Sequence, residues 1–229
     1  MRGLYVIVDL ASLTLRGLDV LRFAQATLDA GPAMLQLRAK GVADAEAIFW
    51  LERLAPVCRS AGVPLVANDL IDVAVRGHAD ILHVGQSDVL PGRIRDEAPA
   101  LRIGISTHSL GQLVRALAER PAYVAYGPVF NTTSKHDPDP VVGPAGLEAA
   151  AHLVARSGAA VPLVAIGGVT LERAPMIREF ASMAAVIGDL LPPRDTDSAQ
   201  VYNWVTARAN ALQAALSVGA SRSPAEGDA

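Results

Sequence analysis

Short runs of apolar and β-branched residues, each closed by polar residues or glycine, recur at positions 4–8, 33–37, 64–67, 81–84, 102–105, 122–126, 162–166 and 184–187. Most lack the apolar–polar alternation of a strand with one wet face, which is the pattern of parallel strands covered on both sides. Between them lie stretches with helical spacing, such as Leu18, Leu21, Ala24 and Leu28 before Gly31, and Ile48, Leu51 and Leu54 before a break at 60–62. Start signals agree: Asp44 is expected to cap the second helix, Ser109 with Gln112 reads as a capping box opening the fifth, and Pro144 and Gly158 bracket another. A last helix is expected over 198–216, followed by a mobile Gly/Ser/Ala tail over 217–229. Eight strand-like runs alternating with helices predict an α/β fold, a single (β/α)₈ TIM barrel over 1–216. A doubly wound sheet is the alternative. It is disfavoured because Asp9, Leu10, Ala11 and Ser12 follow the first run in place of a glycine-rich phosphate loop, and no G-x-x-x-x-G-K-[ST] occurs.

Composition narrows the function classes. Apolar residues make up 51% of the chain and aromatics 4%, so the interior is built from Ala, Val, Leu and Ile, and a disordered chain is excluded. A net charge of −3 gives no general attraction to a polyanion, so phosphate recognition has to be local and bulk nucleic-acid binding is not expected. The lone Cys58 cannot form a disulfide within the chain or a cysteine metal cage and is expected as a small buried hydrophobe. The first apolar run, interrupted by Asp9, is too short for a signal peptide or membrane span, so a soluble cytoplasmic protein is expected. Of 20 basic residues only Lys40 and Lys135 are lysines. Both fall in loops that follow strand-like runs.

Barrel enzymes carry their sites on loops at the carboxyl ends of strands. Here those ends hold Gln36, Arg38 and Lys40; Asn68 and Asp69; Gly85, Gln86 and Asp88; Ser106 and His108; Thr132, Thr133, Ser134 and Lys135; and Gly167, Gly168 and Gly188. Asp69 and Asp88 end neighbouring strands about 4.8 Å apart and together suit one Mg²⁺, a hard cation that needs few protein ligands. The competing reading makes Asp69 the N-cap of a helix beginning at Leu70. Gln36 and Arg38 share a side of their strand with Lys40 just beyond, a set able to grip a diphosphate. Otherwise Arg38 pairs with a structural carboxylate and Lys40 is merely solvated. The long 127–143 connection is a candidate lid. Gly167, Gly168 and Gly188 either cradle a phosphate or serve turn geometry. His78 and His83 read as structural, and His108 is open between helix entry and acid/base work.

Taken in order, LYVIVD, QLRAK, ND, HVGQSD, GISTH, GPVFNTTSK and AIGGV resemble the thiamine phosphate synthase family from Leu4 to about Leu190. The resemblance implies a (β/α)₈ barrel that joins hydroxymethylpyrimidine diphosphate to thiazole phosphate or its carboxylated form, giving thiamine phosphate and diphosphate with Mg²⁺. It implies that Gln36, Leu37, Arg38, Ala39, Lys40, Asn68, Ser106 and Lys135 bind the pyrimidine diphosphate, with Arg38, Lys40, Lys135 and Ser106 as the catalytic set. It gives Asp69 and Asp88 to Mg²⁺, and Thr132, Thr133, Ser134, Gly168, Ile187 and Gly188 to the thiazole phosphate. Two positions depart from the family pattern: Ser134 stands where Thr is usual, keeping a hydroxyl, and Gly188 stands where Ser is usual, losing one. The partners implied are small molecules, with neither nucleic acid nor membrane, and the chain is compatible with a homo-oligomer. Two other readings are a thiazole tautomerase, in which His108 becomes the acid/base, and a thiamine-phosphate sensor that binds without turnover.

Overall fold

The structure, a computed structural model, describes residues 1–132 and 139–217. Strands β1 (Gly3–Asp9), β2 (Met34–Arg38), β3 (Leu65–Asn68), β4 (Ile81–Val84), β5 (Arg102–Thr107), β6 (Tyr123–Tyr126), β7 (Leu163–Ile166) and β8 (Met183–Val186) pair in chain order, all parallel. β8 returns to β1 through the Gly3–Met183 to Val6–Val186 register, so the sheet closes. Helices α1 (Leu10–Leu15), α2 (Val20–Leu28), α3 (Asp44–Ser60), α4 (Ile71–Arg76), α5 (Pro91–Glu97), α6 (Leu110–Ala118), α7 (Gly143–Arg156), α8 (Ala174–Phe180) and α9 (Val201–Ser217) accompany the strands. This is the expected (β/α)₈ barrel. The expected tail falls almost wholly in 218–229, outside the described residues, and Ser217 is the last residue of α9. Among the described residues no helix is long and apolar enough to cross a membrane.

Strand alternation divides the apolar residues between two cores. On β1, Leu4, Val6 and Val8 join the large cluster that packs strands against helices, whereas Tyr5 and Ile7 join a smaller lumenal cluster with Met34, Val66, Ile81, Tyr123, Val164 and Met183. Both faces are dry, which is why the strands read as continuous apolar runs. Cys58 is buried on α3, and burial pushes its thiol up to about 12, the inert hydrophobe expected of it.

Local signals hold in part. Ser109 caps α6 by accepting the Gln112 N–H at 3.3 Å, but the Gln112 side chain accepts from His108 N at 2.6 Å, so the box closes one residue early. Two expectations fail. Asp44 is the first residue of α3 and Ala43 its N-cap, with no side-chain cap bond; the Asp44 carboxylate sits in the first turn, where it complements the helix dipole. Two helices, α1 and α2, fill the connection where one was expected. The extra turn forms because the Asp9 carboxylate accepts from Ser12 N at 3.1 Å and Ser12 Oγ at 2.6 Å and so caps α1.

Gly104 on β5 faces the lumen, where a Cβ would lie 2.2 Å from Cζ of Tyr123 on the neighbouring strand. The glycine exists to admit that ring. Gly104→Ala is expected to lower the free energy of unfolding by about 2 kcal/mol. Gly92→Ala in α5, where a Cβ meets nothing within 4 Å, is expected to raise it by about 0.5 kcal/mol. Urea titrations of the two variants check both signs.

Candidate active site

At the carboxyl ends of the strands the inward positions turn polar. Asp9, Gln36, Arg38, Asn68, His83 and Ser106 succeed the apolar lumenal layer, and all but Asp9 line one cavity of about 460 Å³. Lys40, Asp69, Gly85, Asp88, His108, Thr132, Gly168, Ile187 and Gly188 line it as well. Leu37 and Ala39 do not. The alternation that points Gln36 and Arg38 inward turns Leu37 out into the strand–helix core, and both line a smaller cavity of about 270 Å³ behind Lys40 and Asp69. Thr133, Ser134 and Lys135 lie outside the described residues, as does the middle of the 127–143 connection. Its first described flank is tied to the end of β7 and the residue after it by Val129 N to Ile166 O at 2.8 Å and Phe130 N to Gly167 O at 3.1 Å.

The β1–β2 register sets Asp9 beside Arg38, and Arg38 Nη1 lies 2.6 Å from Asp9 Oδ1. Arg38 is therefore paired with a carboxylate that is only 4% exposed, and still reaches the cavity. The sequence offered the pairing as an alternative without naming Asp9, because β1 extends one residue further than its apolar run.

Asp69 does not cap α4, whose N-cap is Leu70 with no side-chain bond. Asp69 instead has φ 69°, a left-handed conformation that Asp and Asn tolerate better than most residues. From it the carboxylate pairs with Lys40 Nζ. Burial pushes the Asp69 carboxyl up, Lys40 opposes this, and the Asp88 carboxylate within hydrogen-bonding reach pushes it up further. Asp88 is itself held by Gly85 N–H, donated to Oδ2 at 2.7 Å. Two hard carboxylates thus converge beside one lysine.

The opposite wall is built from β7 and β8. Gly168, at φ 63°, passes so close to the β6–α7 connection that a Cβ would meet Asn131 O at 2.5 Å, so turn geometry alone requires glycine there. At Gly188 a Cβ meets nothing within 4 Å, so the space beside this backbone is open. Next to it, Asp189 is gripped by both Arg208 Nη2, at 2.6 Å, and Arg208 Nε, at 3.1 Å, from α9. Arg173 also lines this wall, donating to Gly168 O at 2.5 Å with its guanidinium 4.3 Å from the Phe130 ring centre. Among the described cavity-lining cations it is the one with no carboxylate partner, and no sequence signal marked it. His108 Nδ1 donates to Gly127 O at 2.6 Å and Nε2 stands 3.3 Å from Asp139, a placement that anchors the loop base.

A parallel barrel with a concave mouth, paired acids and fixed cations at the carboxyl ends of its strands has the architecture of a small-molecule barrel site. The family model for thiamine monophosphate synthase matches residues 4–190. A thiamine-phosphate synthase of Chloroflexus aurantiacus is 33% identical over 216 residues, covering 94% of this chain and 93% of that protein. One of Rhizobium etli is 36% identical over 181 residues, covering 78% and 86%. A thiamine phosphate pyrophosphorylase structure from Pyrococcus furiosus superposes with a TM-score of 0.75 at 24% identity, covering 93% of this chain and 94% of that one, a likeness of fold. The chain belongs to the thiamine monophosphate synthase family, the enzymes that form thiamine phosphate in thiamine biosynthesis.

Asp9 is the buried partner on which Arg38 depends. Asp9→Ala is expected to cost about 3 kcal/mol of stability, since it leaves a half-buried guanidinium unpaired and uncaps α1. Chemical denaturation measures the loss.

Proposed function

We propose that the protein condenses hydroxymethylpyrimidine diphosphate with thiazole phosphate by a dissociative substitution, releasing diphosphate. The observation that carries this reading is the convergence of Asp69, Asp88 and Lys40 on one side of the same cavity that Gln36 and Ser106 line. An electron-rich aminopyrimidine can bear positive charge on its methylene as the diphosphate departs. The thiazole nitrogen then attacks with a lone pair and loses no proton, so no general base is needed. What the protein must supply is charge against the leaving group and alignment of two rings.

Arg38 and Lys40 are the described cations on the leaving-group side, with Lys135 proposed to join them from the β6–α7 loop. Ser106 and Asn68 orient the pyrimidine. Thr132, Thr133, Ser134, Gly168, Ile187 and Gly188 are proposed to hold the thiazole phosphate, and Arg173 adds a cation there. Asp69 and Asp88 fit Mg²⁺: both offer hard oxygens, and the burial and the nearby Asp88 carboxylate that together raise the Asp69 carboxyl are penalties on its charge that a divalent ion offsets. Bound Mg²⁺ would supply further charge neutralisation of the departing diphosphate. The partners are small molecules, and the reading places the enzyme in the cytoplasm.

The deciding experiment supplies the protein with both heterocycles and Mg²⁺ and follows thiamine phosphate and diphosphate together. Their stoichiometric appearance supports the reading. Product from the thiazole precursor alone would make it a tautomerase, and ligand binding without diphosphate release would make it a sensor.

Asp69→Asn preserves a residue suited to φ 69° while removing the charge. It and Lys40→Ala are each expected to lower turnover by about a hundredfold, measured at saturating substrates. The raised Asp69 carboxyl also fixes a sign. The folded, metal-free protein binds a proton there more readily than the unfolded chain, so this group's contribution to stability falls as pH rises through its titration. Mg²⁺ competes with that proton. Stabilisation by Mg²⁺ in thermal melts is expected at neutral pH, and is expected to begin fading above the ordinary aspartate range as pH falls, because the folded-state carboxyl is raised.

A further inference from the structure

Five polar side chains on the inner face of the barrel form one unbroken hydrogen-bond chain. Gln36 Nε2 lies 3.0 Å from Tyr5 Oη, Tyr5 Oη 2.7 Å from Tyr123 Oη, Tyr123 Oη 2.8 Å from His83 Nδ1, and His83 Nε2 2.8 Å from Ser106 Oγ. All five residues are buried, and the chain crosses from β2 through β1, β6 and β4 to β5. Burial holds both phenols well above their usual range, so each keeps its hydrogen.

Hydrogen counting leaves little freedom. Each hydroxyl carries one hydrogen to donate, as does an imidazole in either of its single-proton tautomers. Since the Gln36 amide donates to Tyr5, the Tyr5 hydrogen has to go to Tyr123, and the Tyr123 hydrogen to His83 Nδ1. An imidazole that accepts at Nδ1 carries its hydrogen on Nε2, directed at Ser106 Oγ. Turning the Gln36 amide over reverses every link.

We propose that this chain is a polarity lock: Tyr5, Tyr123 and His83 are positioning residues that fix His83 as the Nε2–H tautomer. The Ser106 hydroxyl hydrogen and the Gln36 carbonyl oxygen are thereby both turned to the cavity. The floor then offers one donor and one acceptor at set places. That pair matches an amino-substituted nitrogen heterocycle, whose ring nitrogen accepts and whose amine donates. It opposes an oxo-substituted ring, whose carbonyl would meet the Gln36 carbonyl oxygen. The ligand half of the inference rests on the pyrimidine subsite proposed above; the tautomer does not.

Two measurements test it. Long-range proton–nitrogen correlation spectra of the nitrogen-labelled full-length protein at neutral pH, with His83 assigned by loss of its signals in His83→Gln, are expected to show an unprotonated Nδ1 and a protonated Nε2. The reverse tautomer overturns the proposal whatever the enzyme makes. In kinetics, Tyr123→Phe removes the donor to His83, which lets the tautomer invert and draws the Ser106 hydrogen toward the imidazole. Tyr123→Phe and Ser106→Ala are each expected to reduce kcat/KM for the pyrimidine diphosphate about tenfold, the scale of one hydrogen bond, and the double variant to fall no further. Multiplying losses overturn the coupling. Tyr5→Phe cuts the link that carries the Gln36 polarity to Tyr123, so the Nε2–H tautomer of His83 is expected to lose its dominance in that variant; an unchanged tautomer overturns the lock. Failure of the unaltered enzyme to make thiamine phosphate would strike the functional reading and leave the tautomer result standing.

Discussion

Closure of the parallel sheet turns every second strand residue into a lumen, and the rest of the molecule follows from what that lumen accepts. Near the amino ends it is filled by Tyr5, Met34, Ile81 and Met183, a plug of apolar bulk. Nearer the carboxyl ends the same inward positions become Asp9, Gln36, Arg38, His83 and Ser106. A polar group in that setting must find a partner within the wall or present itself to a ligand. No buried side-chain nitrogen or oxygen among the described residues lacks a hydrogen-bond partner. The wall is satisfied, and what remains unpaired faces the cavity.

This division of labour separates positioning from chemistry. Asp9 spends its carboxylate on Arg38 and on the cap of α1, so the guanidinium is aimed before any substrate arrives. The tyrosine pair does the same for Gln36 and His83. Asp69 and Asp88 differ, since they face each other while Lys40 pairs with Asp69, leaving negative charge that a hard cation suits. On the far wall, Asp189 is neutralised by a two-pronged contact from α9, while Arg173 keeps its charge toward the cavity.

Much of the fold was readable in the chain. Continuous apolar runs marked the eight strands to within one or two residues because both faces of a barrel strand are dry. The strand-end residues fell on one rim because parallel strands all point the same way. What escaped were partners distant in sequence. Tyr5 and Tyr123 are 118 residues apart, and each looks like an ordinary aromatic in an apolar run. His83 read as structural and is indeed bound within the wall, yet it also lines the cavity. Leu37 and Ala39, grouped with their neighbours by contiguity, are turned away by the strand's alternation.

The sequence by itself determined the architecture, the rim on which the site sits and the family to which the chain belongs, because periodicity and short motifs are local properties that survive without coordinates. Only the tertiary structure decided which charges are already paired, that Asp69 bends into a left-handed conformation rather than capping a helix, and that a hydrogen-bond chain spans the lumen. Each of these depends on distances between strands brought together by closure, and linear spacing carries no record of them.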